Sequence, residues 1–198
     1  MDQELATDYL YGEARGKMFG VLVCRTREGE EKVLKAFSGQ YDGQWEMSNW
    51  VPPLFDAKKF RNLNDPAERQ IKVLGRDAAA TPDGPSRNTL LQQRKQLSQK
   101  LMKEIHALYT LHNFRGDQCS LFDLFPDDRG IPTGTGDCCA PKLLNFAATH
   151  KLQPIGLAEF YWGKTNRSAS RQEGQFYLAC EKKCSPILGF LLCGVTDR

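Results

Sequence analysis

The order of helices and strands along this chain predicts an α/β fold, in which helices pack on the faces of a mixed sheet. Two apolar runs near the N-terminus, joined by a short polar turn, are typical of a β-hairpin. A long amphipathic pattern in the middle of the chain indicates helix. The second half then alternates helix, strand and helix. Because 198 residues is a usual length for one domain, we expect a single domain over residues 1–198.

The first part, residues 1–56, is predicted to hold a short N-terminal helix and the hairpin. The two strands are residues 17–25 (KMFGVLVCR) and 32–40 (KVLKAFSGQ), and the polar residues 27–31 form the turn between them. Residues 41–56 contain two tryptophans and two adjacent prolines, and so we expect an irregular loop there.

The second part, residues 57–116, is predicted to be a long helical insertion. Asp65 before Pro66 has the form of an N-cap followed by proline at the first helical position, which opens a helix to about Gly75. After a Pro/Gly/Ala linker, Ser86 is predicted to cap a longer helix that runs to about residue 113. Its buried stripe follows positions spaced by three and four, namely Leu90, Arg94 through its stem, Leu97, Leu101, Ile105, Leu108 and His112.

The third part, residues 117–198, is predicted to be a cysteine-bearing α/β half. A short apolar anchor, SLFDLFP, precedes a glycine-rich loop at 130–137. After this loop we expect a helix, a buried strand, a short strand and a final helix, at residues 138–150, 154–163, 175–179 and 180–193.

Composition and charge narrow the class of protein. Hydrophobic residues make up 40% of the chain and charged residues 26%, as in an ordinary globular protein, and a net charge of +3 does not by itself indicate nucleic-acid binding. The N-terminal segment is acidic where a secretory leader would be basic, and no apolar run approaches the length of a membrane span. We therefore expect a cytoplasmic protein whose thiols stay reduced.

Three of the seven cysteines are predicted to converge on one site. Cys138 opens one predicted helix, while Cys180 and Cys184 open the next helix, one strand later. Helix starts are electropositive and favour thiolate, and three thiolates with a free fourth position suit a zinc ion. A redox pair and plain buried thiols remain as alternatives. For Cys24 and Cys193, which lie inside apolar runs, we expect the role of small buried hydrophobes.

Six motifs resemble the N-terminal region of long bacterial pseudouridine synthases of the RluA-like type. In chain order they are GKMFGVLVC, KAFSGQ, WVPPLFD, GTGDCCAPKLLNFA, IGLAEFYWG and FYLACEKKCSPIL. In that family the region precedes a separate catalytic domain, so the resemblance implies a role in RNA modification and a synthase domain or another RNA-modification protein as partner. These 198 residues contain no Arg-Leu-Asp motif to carry the family's catalytic aspartate, and we expect no pseudouridine formation by this chain alone.

The order hairpin, Cys-led helix, strand and Cys-led helix is also similar to the zinc-dependent deaminase fold, a three-layer sandwich of a mixed sheet with helices on its faces. The resemblance implies that Cys138, Cys180 and Cys184 are the zinc ligands. In that family a glutamate two residues after the first ligand moves the proton. The corresponding position here is Ala140.

Two carboxylates are candidates to replace that glutamate. Asp137 directly precedes Cys138, and Glu159 lies on the apolar strand between the two cysteine helices. Asp137 can instead be the N-cap of the helix that follows. Glu159 is costly to bury unless it is partnered, and an ion pair with Arg171 or Lys142 is the alternative to a site role.

Residues 142–184 hold seven lysines and arginines against three glutamates, next to the aromatic run 160–162. Such a surface suits an unpaired base stacked beside a phosphate backbone. The nucleic-acid-binding candidates are Lys142, Trp162, Lys164, Arg167 and Arg171. Core packing of the aromatic run and simple solvation of the basic loop remain open as alternatives. The predicted long helix also has a basic face, which is either solvated or in contact with RNA and is formed by Arg87, Lys95, Lys100 and Lys103.

Two functions follow as hypotheses. The first is a zinc-binding domain, associated with RNA modification, that binds RNA without catalysis. The second is a zinc-dependent deaminase that acts on a nucleobase in RNA, in DNA or in a nucleoside, with Asp137 or Glu159 as its proton carrier.

Overall fold

A computed structural model of the protein describes residues 5–125 and 130–195, apart from the side chains of Glu181 and Lys182. The chain is mixed α/β, with helices and small antiparallel sheets. It divides into two compact units, a helical unit at Phe55–Tyr109 and a second unit that contains both sheets and all seven cysteines.

The predicted hairpin is confirmed. Strand β1 is Lys17–Arg25 and strand β2 is Glu31–Phe37, paired antiparallel from Phe19↔Phe37 to Arg25↔Glu31. The turn is closed by the Thr26 N–H, which donates to the Glu30 carbonyl at 2.8 Å. A short 3-10 helix, Thr7–Tyr11, precedes the hairpin.

Strand β5, Gln153–Trp162, completes a three-stranded sheet of order β2-β1-β5. It pairs antiparallel with β1 along its whole length, with one bulge beside Val23 and Cys24. Since β2 and β5 are both antiparallel to the central strand, they point the same way and need a crossover connection. Helix α4, Cys139–Thr149, is part of that crossover.

Helix α4 packs on one face of this sheet, where Leu22 and Cys24 of β1 are fully buried. The closest approach is at Gly20, where an added Cβ would lie 2.5 Å from the Cβ of Cys139. Glycine is therefore required at this position because the strand backbone touches the first turn of the helix.

An aromatic cluster covers part of the opposite face. Leu10, Phe19, Phe37 and Tyr41 are its buried members, and Trp50 and Phe160 pack against them half-buried. The rings of Phe19 and Phe160 stack across the β1–β5 pair with centroids 6.0 Å apart. This cluster orders the loop 41–56, which is irregular as the sequence predicts.

The helical unit consists of α1, Ala57–Ala80, and α2, Pro85–His106. The predicted helix start at Asp65-Pro66 is wrong. Helix α1 begins nine residues earlier because Asp56 is its N-cap and accepts from the backbone N–H groups of Lys58 and Lys59 at 2.8 and 2.9 Å. Pro66 lies inside α1, where it has no N–H to donate to the Asn62 carbonyl and its ring crowds that carbonyl.

The predicted end of the second helix near residue 113 is also wrong. Helix α2 ends at His106, and a short hairpin follows, formed by β3 (Thr110–His112) and β4 (Gln118–Ser120). Its turn is built on Asn113, whose side-chain oxygen accepts from the Arg115 and Asp117 N–H groups at 3.0 and 2.9 Å. The predicted stripe members Leu108 and His112 therefore lie outside the helix.

After β4, the short helix α3 covers Leu121–Leu124, and the final helix α5 covers Glu181–Leu191. Pro126 of the predicted apolar anchor lies outside the described residues. The strand predicted at 175–179 is reduced to a few backbone bonds, in which the Tyr161 N–H donates to the Gln175 carbonyl and the Tyr177 N–H donates to the Glu159 carbonyl. No helix in the described part of the chain is both long enough and apolar enough to cross a membrane.

Candidate thiol and carboxylate site

Two helices begin with cysteine at the same edge of the sheet. Cys138 is the N-cap of α4 and Cys180 is the N-cap of α5. The loop before Cys138 turns through Gly134 and Gly136, both with positive φ, and the Gly39 N–H donates to the Asp137 carbonyl at 2.8 Å. This bond holds the start of α4 beside the carboxyl end of β2, where site residues of α/β sheets commonly lie.

Cys138 and Cys184 form a thiol pair at this edge. The side chains of Cys138 and the buried Cys184 interact, and this interaction lowers the pKa of Cys138 and raises the pKa of Cys184. Cys180 lies one helical turn before Cys184, and its charge further raises the pKa of Cys184. The three predicted cysteines are thus neighbours, with Cys138 close to Cys184 and Cys180 on the adjoining turn.

Glu159 lies beside this pair on β5 and is 6% exposed. Its carboxylate oxygen Oε1 accepts a hydrogen bond from the Ala140 N–H at 3.0 Å. Burial raises the pKa of Glu159, and the nearby backbone N–H groups of Ala140 and Cys139 oppose that rise. Among the described residues, neither Arg171 nor Lys142 forms the ion pair with Glu159 that the sequence left open as an alternative to a site role, and the carboxylate is bonded by the Ala140 N–H instead.

Asp137 precedes the N-cap and does not serve as the cap that the sequence allowed. Its carbonyl is bonded by Gly39, and its carboxylate lies near enough to Lys142 to raise the pKa of that ammonium. Both candidate carboxylates therefore lie close to the start of α4, and Glu159 bonds the Ala140 N–H in the first turn of the helix.

Lys142 has a structural position that sequence reasoning missed. It is 1% exposed, and its Nζ donates to the carbonyls of Phe37 and Gly39 at 3.0 and 3.1 Å. Nζ also lies 5.2 Å from the Phe37 ring centroid. Burial lowers the pKa of Lys142 to about 8. The prediction that Lys142 contacts nucleic acid is wrong for this reason: its ammonium joins α4 to the end of β2.

The other nucleic-acid candidates lie on or near the surface. Trp162, Lys164 and Arg167 are exposed, while Arg171 is half-buried with its guanidinium 4.2 Å from the Tyr177 ring centroid. The loop that carries them is ordered by Asn166, which accepts from the Arg171 N–H at 3.0 Å.

The aromatic run 160–162 divides between core and surface. Tyr161 is buried and its hydroxyl donates to the Lys164 carbonyl, Phe160 belongs to the aromatic cluster, and Trp162 is 42% exposed. Sequence reasoning missed Phe176, which is 72% exposed and packs edge-on against Phe160.

Cys139 is a further residue that the sequence did not single out. It is buried against β1, where its thiol donates to the Met18 carbonyl at 3.4 Å and burial raises its pKa. Across residues 5–125 and 130–195, no group of three or more His, Cys, Asp or Glu side chains has the arrangement of a metal site. The site as described is a thiol pair, a neighbouring thiol and a buried carboxylate at two helix starts.

Comparisons with known proteins return no match: no protein-family model, no curated protein and no solved structure corresponds to the chain.

Proposed function

We propose that this protein is a zinc-binding domain associated with RNA modification, that it binds single-stranded RNA, and that it works in the cytoplasm with a pseudouridine synthase catalytic domain or a similar RNA-modification protein. The observation that carries the proposal is the proximity of Cys138 and Cys184 at the starts of α4 and α5, with Cys180 on the adjoining turn.

The donor set suits zinc. Thiolates are the ligands that zinc prefers, and they must be deprotonated to bind. Cys138 already has a lowered pKa, and two helix N-termini favour negative charge at this edge. Cys138, Cys180 and Cys184 would hold the ion, which would act as a Lewis acid or as a structural link between the two helices.

The proposal also includes a specific architecture within the mixed α/β class. A hairpin, a helix opening at Cys138, a strand and a helix opening at Cys180 follow one another as in the deaminase sandwich. We infer a three-layer architecture of that kind, with Phe55–Tyr109 as a helical insertion between the hairpin and the cysteine helices.

Exposed aromatic rings beside cations support RNA as the ligand. The rings of Trp162 and Phe176 are exposed to solvent. Lys164 and Arg167 lie on the loop that joins these two residues. Stacking on aromatic rings with nearby cations is how proteins hold unpaired bases. The aromatic cluster supports this surface from below through the contact of Phe160 with Phe176.

One observation favours deaminase activity as a second candidate. Glu159 bonds the N–H of Ala140, and Ala140 is the position where the deaminase resemblance expects a glutamate. The Glu159 carboxylate, which belongs to strand β5, therefore lies beside the helix position at which the deaminase resemblance expects a glutamate. Burial raises the pKa of Glu159 above its ordinary value, which favours the protonated state that a proton carrier must reach.

The metal is tested by elemental analysis of the purified protein. We expect about one zinc per chain, and loss of most of it in Cys184→Ser and Cys138→Ser. The matched control is Cys193→Ser, because Cys193 is a half-buried thiol near the end of α5 that bonds the Gly189 carbonyl. Zinc content that is equally low in wild type and variants would overturn the metal site.

RNA binding is tested by fluorescence anisotropy with a labelled single-stranded 12-mer at low salt. The double variant Trp162→Ala/Phe176→Ala should bind at least tenfold more weakly, because each lost stack costs roughly 1–3 kcal/mol. Lys95→Ala, on the exposed face of α2, is the control and should bind like wild type. Equal affinity for all three proteins would refute this surface.

Deamination is tested separately by ammonia release from cytidine, adenosine and single-stranded RNA with zinc-loaded protein. Activity that disappears in Glu159→Gln while zinc is retained would establish the second candidate. Absence of ammonia release from every substrate, together with RNA binding, would leave the binding function alone.

A further inference from the structure

The positive charge of the chain is concentrated in the helical unit. Residues 55–109 contain eleven lysines and arginines against six aspartates and glutamates, whereas the rest of the sequence contains sixteen against eighteen. The net charge of +3 is therefore the sum of a basic unit and a slightly acidic remainder. Every lysine and arginine of helix α1 is exposed, so the charge of this helix faces solvent.

Most of the cations of α1 lie on one line along the helix. Positions 58, 61, 65, 69, 72 and 76 are separated by steps of three and four residues, which place them on one face. The buried and half-buried positions 60, 67, 71, 74 and 78 follow similar steps on the opposite side. At about 1.5 Å per residue, the line is about 27 Å long. Its positive members, here called the cationic stripe, are Lys58, Arg61, Arg69, Lys72 and Arg76.

Few carboxylates compensate the cationic stripe. Asp65 lies on the line itself, and Glu68 lies beside it, bonded to the Lys72 ammonium at 2.7 Å. Asp56 is already engaged as the cap of the helix, and Asp77 lies about a third of a turn away from the line. Within residues 55–109, all of which the structure describes, the stripe members without an ion pair are Lys58, Arg61, Arg69 and Arg76.

The cations of α2 are arranged differently. Arg94 lies against α1, since a Cβ at Gly75 would be 3.5 Å from its Nε. Lys95 and Lys103 are eight residues apart, and so they point about 80° apart around the helix. Two further cations are paired with carboxylates four residues away, in the pairs Arg87–Asp83 and Lys100–Glu104. A continuous unpaired line of charge is therefore a property of α1.

The helical unit offers no exposed aromatic ring on which a base could stack. Its aromatic residues are Phe55, Phe60 and Tyr109, and all three are buried. Unpaired bases are held by stacking on such rings, whereas double-stranded RNA is recognised mainly through its shape and its backbone. A rigid row of cations without aromatic rings therefore suits the phosphates of a duplex.

A membrane surface fits this face less well. Helices that lie on membranes carry large apolar side chains beside their basic ones. The exposed large hydrophobic residue of α1 is Val73, which is 41% exposed. One valine gives too little apolar area for insertion between lipids.

We propose that the cationic stripe of α1 binds the phosphate backbone of double-stranded RNA. The inference rests on the proposed RNA function and adds a second kind of contact to it. The surface of Trp162 and Phe176 takes unpaired bases, and the stripe takes the phosphates of a paired region. Arginine and lysine bind phosphate oxygens by charge-assisted hydrogen bonds, and each contact releases counterions from the duplex.

The test measures binding of the full chain to a labelled RNA duplex of about 16 base pairs, a length that one duplex-binding domain spans. Anisotropy is recorded between about 50 and 200 mM salt, and we expect micromolar affinity at the low end. Arg69→Gln/Arg76→Gln should bind at least fivefold more weakly there. The slope of log K against log salt should become less steep by roughly 2, because two phosphate contacts are lost.

The matched control is Lys95→Gln/Lys103→Gln, which removes the same charge from the other helix of the unit. It should bind the duplex within twofold of wild type. Asp65→Asn removes the carboxylate from the line and should tighten duplex binding at least twofold, a gain that loss of structure cannot produce. Circular dichroism should show unchanged helix content in all three variants, since the substituted residues are exposed.

Single-stranded RNA separates this inference from the proposed function. Arg69→Gln/Arg76→Gln should keep the affinity of wild type for the single-stranded 12-mer. Trp162→Ala/Phe176→Ala should lose that affinity and keep duplex binding. Failure of the stripe and failure of the stacking surface are therefore observed on different ligands.

Four results would overturn the proposal. The first two are equal duplex affinity of the arginine and lysine double variants and an unchanged salt slope in the arginine variant. At least tenfold tighter binding of a DNA duplex of the same sequence would assign the stripe to DNA. Binding to phosphatidylserine vesicles without binding to either duplex would assign it to a membrane surface.

Discussion

Glu159 on strand β5 and Ala140 on helix α4 are joined by a buried 3.0 Å hydrogen bond between a carboxylate and a backbone N–H. The first N–H groups of a helix have no partner within the helix, and a negative charge there is favoured by the helix dipole. The strand thus supplies the cap that the helix does not supply for itself, since the Cys138 side chain makes no capping bond.

Replacing Glu159 by alanine should therefore destabilise the fold. Glu159→Ala leaves the Ala140 N–H group buried without its acceptor, and we expect a loss of about 2 kcal/mol in the free energy of unfolding. Glu159→Gln keeps an acceptor oxygen and should lose less than half as much. Urea denaturation measures both, and equal losses would mean that the acceptor is not what matters.

Gly20 should tolerate no side chain. A Cβ there would meet the Cβ of Cys139 at 2.5 Å, so Gly20→Ala should cost about 1–3 kcal/mol through overpacking. Gly156→Ala on β5 is the matched control, because a Cβ at that position meets nothing within 4 Å. Thermal unfolding of both variants gives the comparison, and an unchanged Tm for Gly20→Ala would contradict the close contact of β1 and α4.

Lys142 should make stability depend on pH above neutrality. Its pKa is lowered to about 8 in the fold from an ordinary 10.5, so between these values the unfolded chain binds more protons than the folded chain. The buried charge is lost as the pH rises, and wild type should gain stability relative to Lys142→Met, by roughly 3 kcal/mol at full titration.

Urea denaturation of both proteins at pH 7, 8, 9 and 10 checks this dependence. The stability difference should move in favour of wild type across the series. A difference that stays constant with pH would show that the ammonium is not desolvated.

Asp56 should stabilise the helical unit as the N-cap of α1. Asp56→Ala removes the acceptor for the Lys58 and Lys59 N–H groups and should cost about 1 kcal/mol. Asp56→Asn keeps a side-chain oxygen and should be nearly neutral. Loss of helical circular dichroism on heating reports the effect, and Asp65→Ala, inside α1, should not reproduce it.

The elements that local pattern determines were predictable from the sequence. The hairpin, helix α4, strand β5 and helix α5 lie within a few residues of their predicted bounds, because apolar periodicity and helix-start cysteines mark them. Helix α1 was mispredicted because Asp65-Pro66 has the form of a start signal, while the actual cap at Asp56 lies in a proline-containing loop. The strands β3 and β4 have three residues each, too few to show a period.

The site was predictable only where it depends on helix starts. Cys138 and Cys180 could be placed from their position before apolar helices, and the structure makes them the two N-caps. The partner of Glu159 could not be predicted, because residues 140 and 159 are joined by tertiary packing that leaves no local signature. Lys142 carries a charge that predicts exposure, and its burial depends on two carbonyls that are about a hundred residues distant in sequence.

The contact between Gly20 on β1 and Cys139 on α4 determines the position of the site residues at the start of α4. Since the Cβ of Cys139 occupies the space that a side chain at Gly20 would need, the spacing between β1 and the first turn of α4 depends on glycine at this position. Cys138 and Ala140 flank that point, so their distances to Glu159 are governed by the omission of one methyl group. Gly20 has no side chain and takes no part in the chemistry of the site, yet it determines how close the Cys138 thiol lies to the Glu159 carboxylate.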